Sequence, residues 1–304
     1  MMKNQEKEEN EMIVVKIWEG LGNQLFQYAY AKSLQLRQNE KVYLDFSAYN
    51  NRSYDPKKTY RSQQLSNFRI TLREYSNLYK YYFFLDEKNI LNKGIKKMAE
   101  EGLFPYKYFK EENVQFKPEL LSVRGNYYIQ GWFQNERYFK EYENVIRNEL
   151  RLKNKIKIQN KLREILDYSN TVAVHVRRGD YKKHCSVLPA EYYNRAVERI
   201  NGLIDNPLFC IFSDEIEWVK KNMKFEGKCF YVNEDHKLTN FEELIVMSCC
   251  KHDIIANSTY SWWGAWLNNN EKKIVIGPNE WFLSKSVLNA NKGLTIMPES
   301  WIRL

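Results

Sequence analysis

Short apolar blocks alternate along this chain with stretches whose apolar positions recur at helical spacing. Thr171-Val172-Ala173-Val174-His175-Val176 is mostly β-branched and apolar, as in a strand buried on both faces, and it stops abruptly at Arg177-Arg178-Gly179-Asp180. Met12–Trp18, Leu208–Phe212, 229–232, Asp253–Ala256 and 273–276 read as further strands. Helical spacing takes over at 190–203, 215–223, 240–251 and 259–269, and a helix after Trp18 carries Leu25, Phe26, Tyr28, Ala29, Ala31 and Leu34. Strands separated by helices predict parallel sheets with right-handed crossovers. The Tyr- and Lys-rich stretch from 48 to 125 has no such rhythm; beyond it, Tyr127-Tyr128-Ile129 and Val145-Ile146 are expected in a core.

The strand ends are polar, and ligands of open α/β sheets bind outside the carboxyl ends of strands. Side chains alternate, so His175 and Arg177 should point one way and Arg178 the other. A guanidinium there is permanently charged and presents a planar fork suited to phosphate oxygens; an Arg–Asp pair closing the strand is the plainer alternative. After the first strand, Glu19-Gly20-Leu21-Gly22-Asn23-Gln24 opens a helix, and its glycines permit close backbone approach to a ligand. It lacks the third glycine of the dinucleotide fingerprint. The third strand ends in Ser213-Asp214-Glu215, where Asp214 is either a ligand carboxylate or a helix N-cap. The fourth ends in Asn257-Ser258-Thr259-Tyr260-Ser261, with Ser258 a natural N-cap and three hydroxyls at one helix start. Together these ends imply an anion-binding cleft.

Composition narrows the class. The chain has 304 residues, 43% hydrophobic and 28% charged, ordinary for a globular protein, with aromatics high at 15%. Cysteines 185, 210, 229, 249 and 250 are odd in number and lack metal-binding spacing, which reads as reduced thiols. Residues 1–11 are polar and read as a disordered extension, without the apolar stretch of a signal peptide. Net charge is +9, densest at Arg151–Lys157, which reads as a solvated linker or a membrane-docking patch. No nucleic-acid motif accompanies it. The four histidines (175, 184, 236, 252) are scattered and no Asp-x-Asp motif occurs, so no metal site is expected.

Gly20–Tyr28, Gly131-Trp132-Phe133-Gln134-Asn135-Glu136-Arg137-Tyr138-Phe139, His175–Tyr181, Phe212–Glu215 and Asn257–Trp266 together resemble the α-1,2-fucosyltransferases, glycosyltransferase family 11. The resemblance runs in order from residue 12 to the end. It implies an α/β fold of GT-B type, two Rossmann-like domains facing a central cleft. The expected layout is an acceptor-side domain at 12–160 and a GDP-sugar-binding domain at 161–304. It also implies inverting transfer of L-fucose from GDP-fucose to a galactose 2-hydroxyl in a glycan or lipid-linked acceptor. No other cofactor is implied. A transferase of another GDP-sugar and a non-catalytic polyanion-binding module are the alternatives.

Within that reading Arg177 neutralises the departing diphosphate in place of a metal. Gly22 approaches the donor, His175 and Asp214 read the guanine, and Ser258, Thr259 and Ser261 hold the pyrophosphate. Asn23 touches donor phosphate or acceptor. Asp180 and Glu191 are the nearest carboxylates for a general base, although Asp180 could instead orient Arg178 or the loop. A divalent ion would be repelled by basic surroundings without clustered carboxylates, with Asp180 and Asp214 as the carboxylates that could hold one in the alternative reading. The family's eukaryotic members are membrane-anchored, so a chain without an anchor is expected in the bacterial cytoplasm, with peripheral inner-membrane contact as an option.

Overall fold

The structure is a computed structural model that describes residues 11–49, 61–75, 90–101, 103, 107–184, 187–235, 237–283, 291 and 294–304. The expected disordered extension falls almost wholly outside these residues, as do Cys185 and His236. The chain divides into two compact units, Met1–Lys153 and Asn154–Leu304.

In the first unit, strands β1 (Ile13–Lys16), β2 (Val42–Asp45), β3 (Arg73–Glu74), β4 (Lys107–Lys110) and β5 (Tyr127–Gln130) form a sheet in the order β3-β2-β1-β5-β4. All its pairings are parallel. Helix α1 (Leu21–Gln38) follows β1 and ends where Asn39 turns left-handed, its N–H returning to the Gln35 carbonyl. Helix α2 (Ile90–Glu100) lays Ala99 and Ile95 on the sheet face that carries Val14, Tyr108 and Tyr128. Helix α3 (Glu143–Glu149) closes the unit. There Ile146 is fully buried but Val145 is 38% exposed, because adjacent helical residues cannot both face inward.

The second unit begins seven residues before the expected boundary, because Ile156, Ile158 and Leu162, the last on helix α4 (Asn160–Leu166), pack in its core. Its strands are β6 (Thr171–Val176), β7 (Leu208–Ser213), β8 (Lys228–Tyr231), β9 (His252–Ile254), β10 (Val275–Gly277) and β11 (Ile302–Arg303). Between them run α5 (Ala190–Asn201), α6 (Ile216–Asn222), α7 (Val232–Asp235), α8 (Asn240–Ser248) and α9 (Thr259–Leu267). The order β11-β10-β9-β6-β7-β8, all parallel, is that of a doubly wound dinucleotide-binding sheet. Strand β6 shows why its sequence is apolar on both faces. Val172, Val174 and Val176 pack with α5 and α6 residues, whereas Ala173 packs with Leu162, Val246 and Met247. Two parallel α/β units match the GT-B-type expectation. The short edge strand β11 carries no apolar block and was not foreseen.

The described cysteines, Cys210, Cys229, Cys249 and Cys250, are free. No helix among the described residues is long and apolar enough to cross a membrane.

Candidate active site

Strand order places the site. In the second unit β6 has β7 on one side and β9 on the other, so the order reverses between β6 and β9. The segments leaving those two strands are Arg177–Asp180 and Asn257–Ser261, and ligands of such sheets bind at this switch point.

Arg177 lies between two carboxylates. Its Nη2 is 2.6 Å from Asp180 Oδ1 and its Nη1 is 3.1 Å from Asp214 Oδ2. The side chain remains 26% exposed, so a ligand can reach the guanidinium. Register explains the second pair: β6 and β7 run parallel with Val176 opposite Ser213, which sets the two strand ends side by side. Asp214 also accepts the backbone N–H of Arg178 (3.0 Å) and of Gly179 (3.1 Å). The N-cap of α6 is Glu215, so Asp214 caps the arginine loop rather than a helix. Gly179 is needed there, since a Cβ on it would stand 2.7 Å from Asp214 Oδ2. Arg178 turns away, ion-paired with Glu215 at 3.1 Å and 3.6 Å above the Trp218 ring. The alternation expected along the strand therefore holds.

His175 is 5% exposed, with its ring 5.5 Å from that of Tyr260. Burial, with Arg177 adding repulsion, pushes its pKa down to about 3, so the imidazole is neutral. Its Nδ1 is buried without a hydrogen-bond partner.

At the other side of the switch point, Ser258 caps α9 by accepting the Tyr260 N–H at 3.3 Å, and Thr259 stands half-buried at the first helical position. Ser261 differs from the expectation. It is fully buried, and its hydroxyl points back to the Ala256 and Ser258 carbonyls, both at 3.2 Å. It braces the turn instead of facing a ligand.

One carboxylate of this cluster was missed. Glu243 on α8 accepts from Asn233 Nδ2 at 2.6 Å, and Asn233 in turn accepts the Ser213 N–H at 3.0 Å. Burial raises the Glu243 pKa, opposed by the Asn233 hydrogen bond and by Arg177. The sequence hides it beside Glu242, which completes a capping box with Thr239, so both glutamates read as ordinary first-turn residues.

The surroundings of Arg177 are thus not basic: Asp180, Asp214 and Glu243 all bear on it. The expectation of strand ends without clustered carboxylates is corrected, because folding gathers residues far apart in sequence. Among the described residues no group of three or more His, Cys, Asp and Glu is placed to hold a metal ion. The expected base candidate Glu191 is exposed in the first turn of α5, whereas Asp180 pairs with Arg177, not Arg178.

Gly22 and Asn23 belong to the first unit. Gly22 is buried in the opening turn of α1, and Asn23 Oδ1 accepts from Gln134 Nε2 at 2.8 Å.

The family description "Glycosyl transferase family 11" matches residues 12–293. An alpha-1,2-colitosyltransferase of Escherichia coli is 30% identical over 310 residues, covering 96% of this chain and 99% of the relative. The Escherichia coli O-antigen biosynthesis glycosyltransferase WbnK is 31% identical, covering 94% and 98%. Galactoside alpha-(1,2)-fucosyltransferase 1 of Homo sapiens is 27% identical over 106 residues, 32% of this chain and 28% of that one. A solved structure of Arabidopsis thaliana FUT1 with GDP superposes with a TM-score of 0.48 at 10% identity, over 90% of this chain and 72% of that one, a likeness too distant to bear on function. By its sequence from residue 12 to residue 293, this chain belongs to glycosyltransferase family 11.

Proposed function

We propose that the chain transfers L-fucose from GDP-fucose to the 2-hydroxyl of a galactose, with inversion and without a metal. The observation that carries the reading is Arg177, held by two carboxylates at the switch point yet open to a ligand. Cleaving the sugar–diphosphate bond develops positive charge on the sugar and negative charge on the departing GDP. Arg177 meets that negative charge with a fixed fork, aided by the N–H groups and dipole at the start of α9. Ser258 and Thr259 line that helix start, and Ser261 holds its shape.

Asp214 is committed to the loop and Arg177, so Glu243 takes over the guanine-reading carboxylate role, while neutral His175, its ring 5.5 Å from that of Tyr260, offers an unpaired Nδ1. A carboxylate accepts from the adjacent guanine N1–H and amino group, a pair that adenine and uracil lack. Calorimetry with GDP, UDP and ADP checks this: equal affinity for all three refutes it. Asp180 positions Arg177, and deprotonation of the acceptor relies on little base assistance.

The sugar is the element to test hardest. The relatives named for colitose and for fucose share the α-1,2 linkage in their names and differ in the sugar. Labelled GDP-fucose, offered without metal together with lactose and N-acetyllactosamine, should yield a 2-linked fucoside. In the same assay Arg177→Lys should lose about 10²–10³ in rate, because an ammonium cannot reproduce the planar fork. Near wild-type turnover in that variant would remove Arg177 from the mechanism. Arg151, Lys153, Lys155 and Lys157 are exposed and offer an anionic membrane a docking patch should the acceptor be lipid-linked.

A further inference from the structure

The first unit has a reversal point of its own. Strands β1 and β5 are neighbours, with β2 and β3 beyond one and β4 beyond the other. Two residues past the end of β1 stands Trp18, and two residues past β5 stands Trp132. Their ring centroids are 5.3 Å apart at an interplanar angle of 41°, and both side chains are half-buried. Indoles at the carboxyl ends of adjacent parallel strands occupy the position where such sheets take ligands.

The pair is held firmly. Gln27 Oε1 accepts the Trp18 N–H at 3.0 Å, while Trp18 Nε1 and Gln27 Nε2 both donate to the Gly131 carbonyl, at 3.4 and 3.3 Å. Glu111 Oε2 accepts the N–H groups of Trp132 (2.6 Å) and Phe133 (2.9 Å). Each tryptophan is followed by a non-glycine residue in left-handed backbone, Glu19 at φ 68° and Phe133 at φ 51°. Such strain persists where the surroundings over-determine a position, and it concentrates at ligand sites. Two residues beyond Trp132, Gln134 Nε2 engages Asn23 Oδ1 at 2.8 Å, which leaves the Asn23 amide nitrogen to donate elsewhere.

A rigid, half-exposed aromatic surface, with the Lys16 ammonium 5.9 Å from the Trp18 ring centroid and a linked pair of amides on the same segments, matches a pyranose. One face of the sugar presents contiguous C–H bonds to the rings, and its hydroxyls exchange hydrogen bonds with amides. We propose that Trp18 and Trp132 form the platform for a sugar ring of the acceptor, with Asn23 and Gln134 reading its hydroxyls. This deepens the transferase reading and rests on it.

The test is saturation-transfer NMR on the full chain with GDP present, using methyl β-galactoside, lactose and N-acetyllactosamine as probes. Saturation should concentrate on galactose C–H protons and fall about tenfold in Trp132→Ala. GDP affinity by calorimetry should stay at the wild-type value, and the thermal transition should be retained. Trp132→Phe keeps a ring and should recover most of the signal. Should Trp132→Ala fail to fold, Trp132→Leu and Trp18→Leu, which remove the ring but keep apolar bulk, decide by kinetics, with acceptor KM raised and donor KM unchanged. No saturation on any probe, or a signal undiminished in the folded alanine variant, overturns the platform. Galactoside binding without fucose transfer would refute the donor assignment alone, whereas transfer with acceptor KM unchanged in Trp132→Ala would refute the platform alone.

Discussion

Gly179 and Asp214 are thirty-five positions apart, yet neither is interchangeable, because the carboxylate sits where a Cβ would be. Asp214 cannot swing aside without releasing two backbone N–H groups and Arg177. Gly179→Ala should therefore cost about 1–3 kcal/mol of stability through overpacking, and slow transfer by displacing Arg177. Gly20→Ala is the control, since its nearest neighbour is an Arg61 side-chain atom at 3.7 Å. Thermal denaturation with initial rates checks both variants. Glu111 gives a pH signature. Burial pushes its carboxyl pKa up to about 7 from 4.5, against the two N–H groups it accepts, and its Oε1 is buried without a partner. Between those values the native state holds a proton that the unfolded chain has lost, so this residue's contribution to stability falls as pH rises from about 4.5 to 7. His175, held down at about 3, contributes the opposite slope between about 3 and 6.5. Glu111→Gln keeps a carbonyl for both N–H groups and removes the titration. Stability of this variant relative to wild type should rise across the upper window by on the order of 2–3 kcal/mol; urea melts at pH 5 and pH 7 giving an unchanged difference would refute this.

Helix α1 shows how an element is tied down by polar chemistry that its apolar stripe does not announce. Tyr28 and Lys32 lie four residues apart on it, and both reach Glu149 at the end of α3: the Tyr28 hydroxyl hydrogen-bonds Glu149 Oε2, and Lys32 Nζ is 3.0 Å from Oε1. Thr71 joins the cluster, donating to Glu149 at 2.7 Å and accepting from Lys32 at 2.8 Å. Lys32 and Glu149 are 7% and 6% exposed, so removing the carboxylate strands a buried ammonium. Glu149→Ala should destabilise the chain by about 3–5 kcal/mol in chemical denaturation. Tyr28 was legible as a core position from its helical spacing. The long-range carboxylate was not, because its partner lies 121 residues away. The second unit's strand–helix alternation from Thr171 to Gly277 was legible to within a few residues, led by the apolar blocks of β6 and β7, whereas α4, α7 and β11 were not. Strands β3 and β4 were not, being two and four residues long and mostly exposed or polar.

At the scale of the whole molecule, the charge of +9 says little about the site, where carboxylates surround the arginine. The proposal of metal-independent transfer therefore rests on Arg177 itself: Asp180 and Asp214 already pair with a cation that cannot be deprotonated. Activity should survive EDTA, and complete loss restored by stoichiometric Mn²⁺ or Mg²⁺ would overturn this. The sequence by itself determined the parallel α/β class, the family, and the polar strand ends bearing Arg177, Asp214 and Ser258. Those follow from local periodicity and contiguous motifs, which need no knowledge of neighbours. Only the tertiary structure decided that Asp214 caps the arginine loop, that Ser261 turns inward, that Glu243 joins Arg177, and that Trp18 meets Trp132. Each depends on which strands lie side by side and in what register, a property set by packing between distant segments rather than by any one of them.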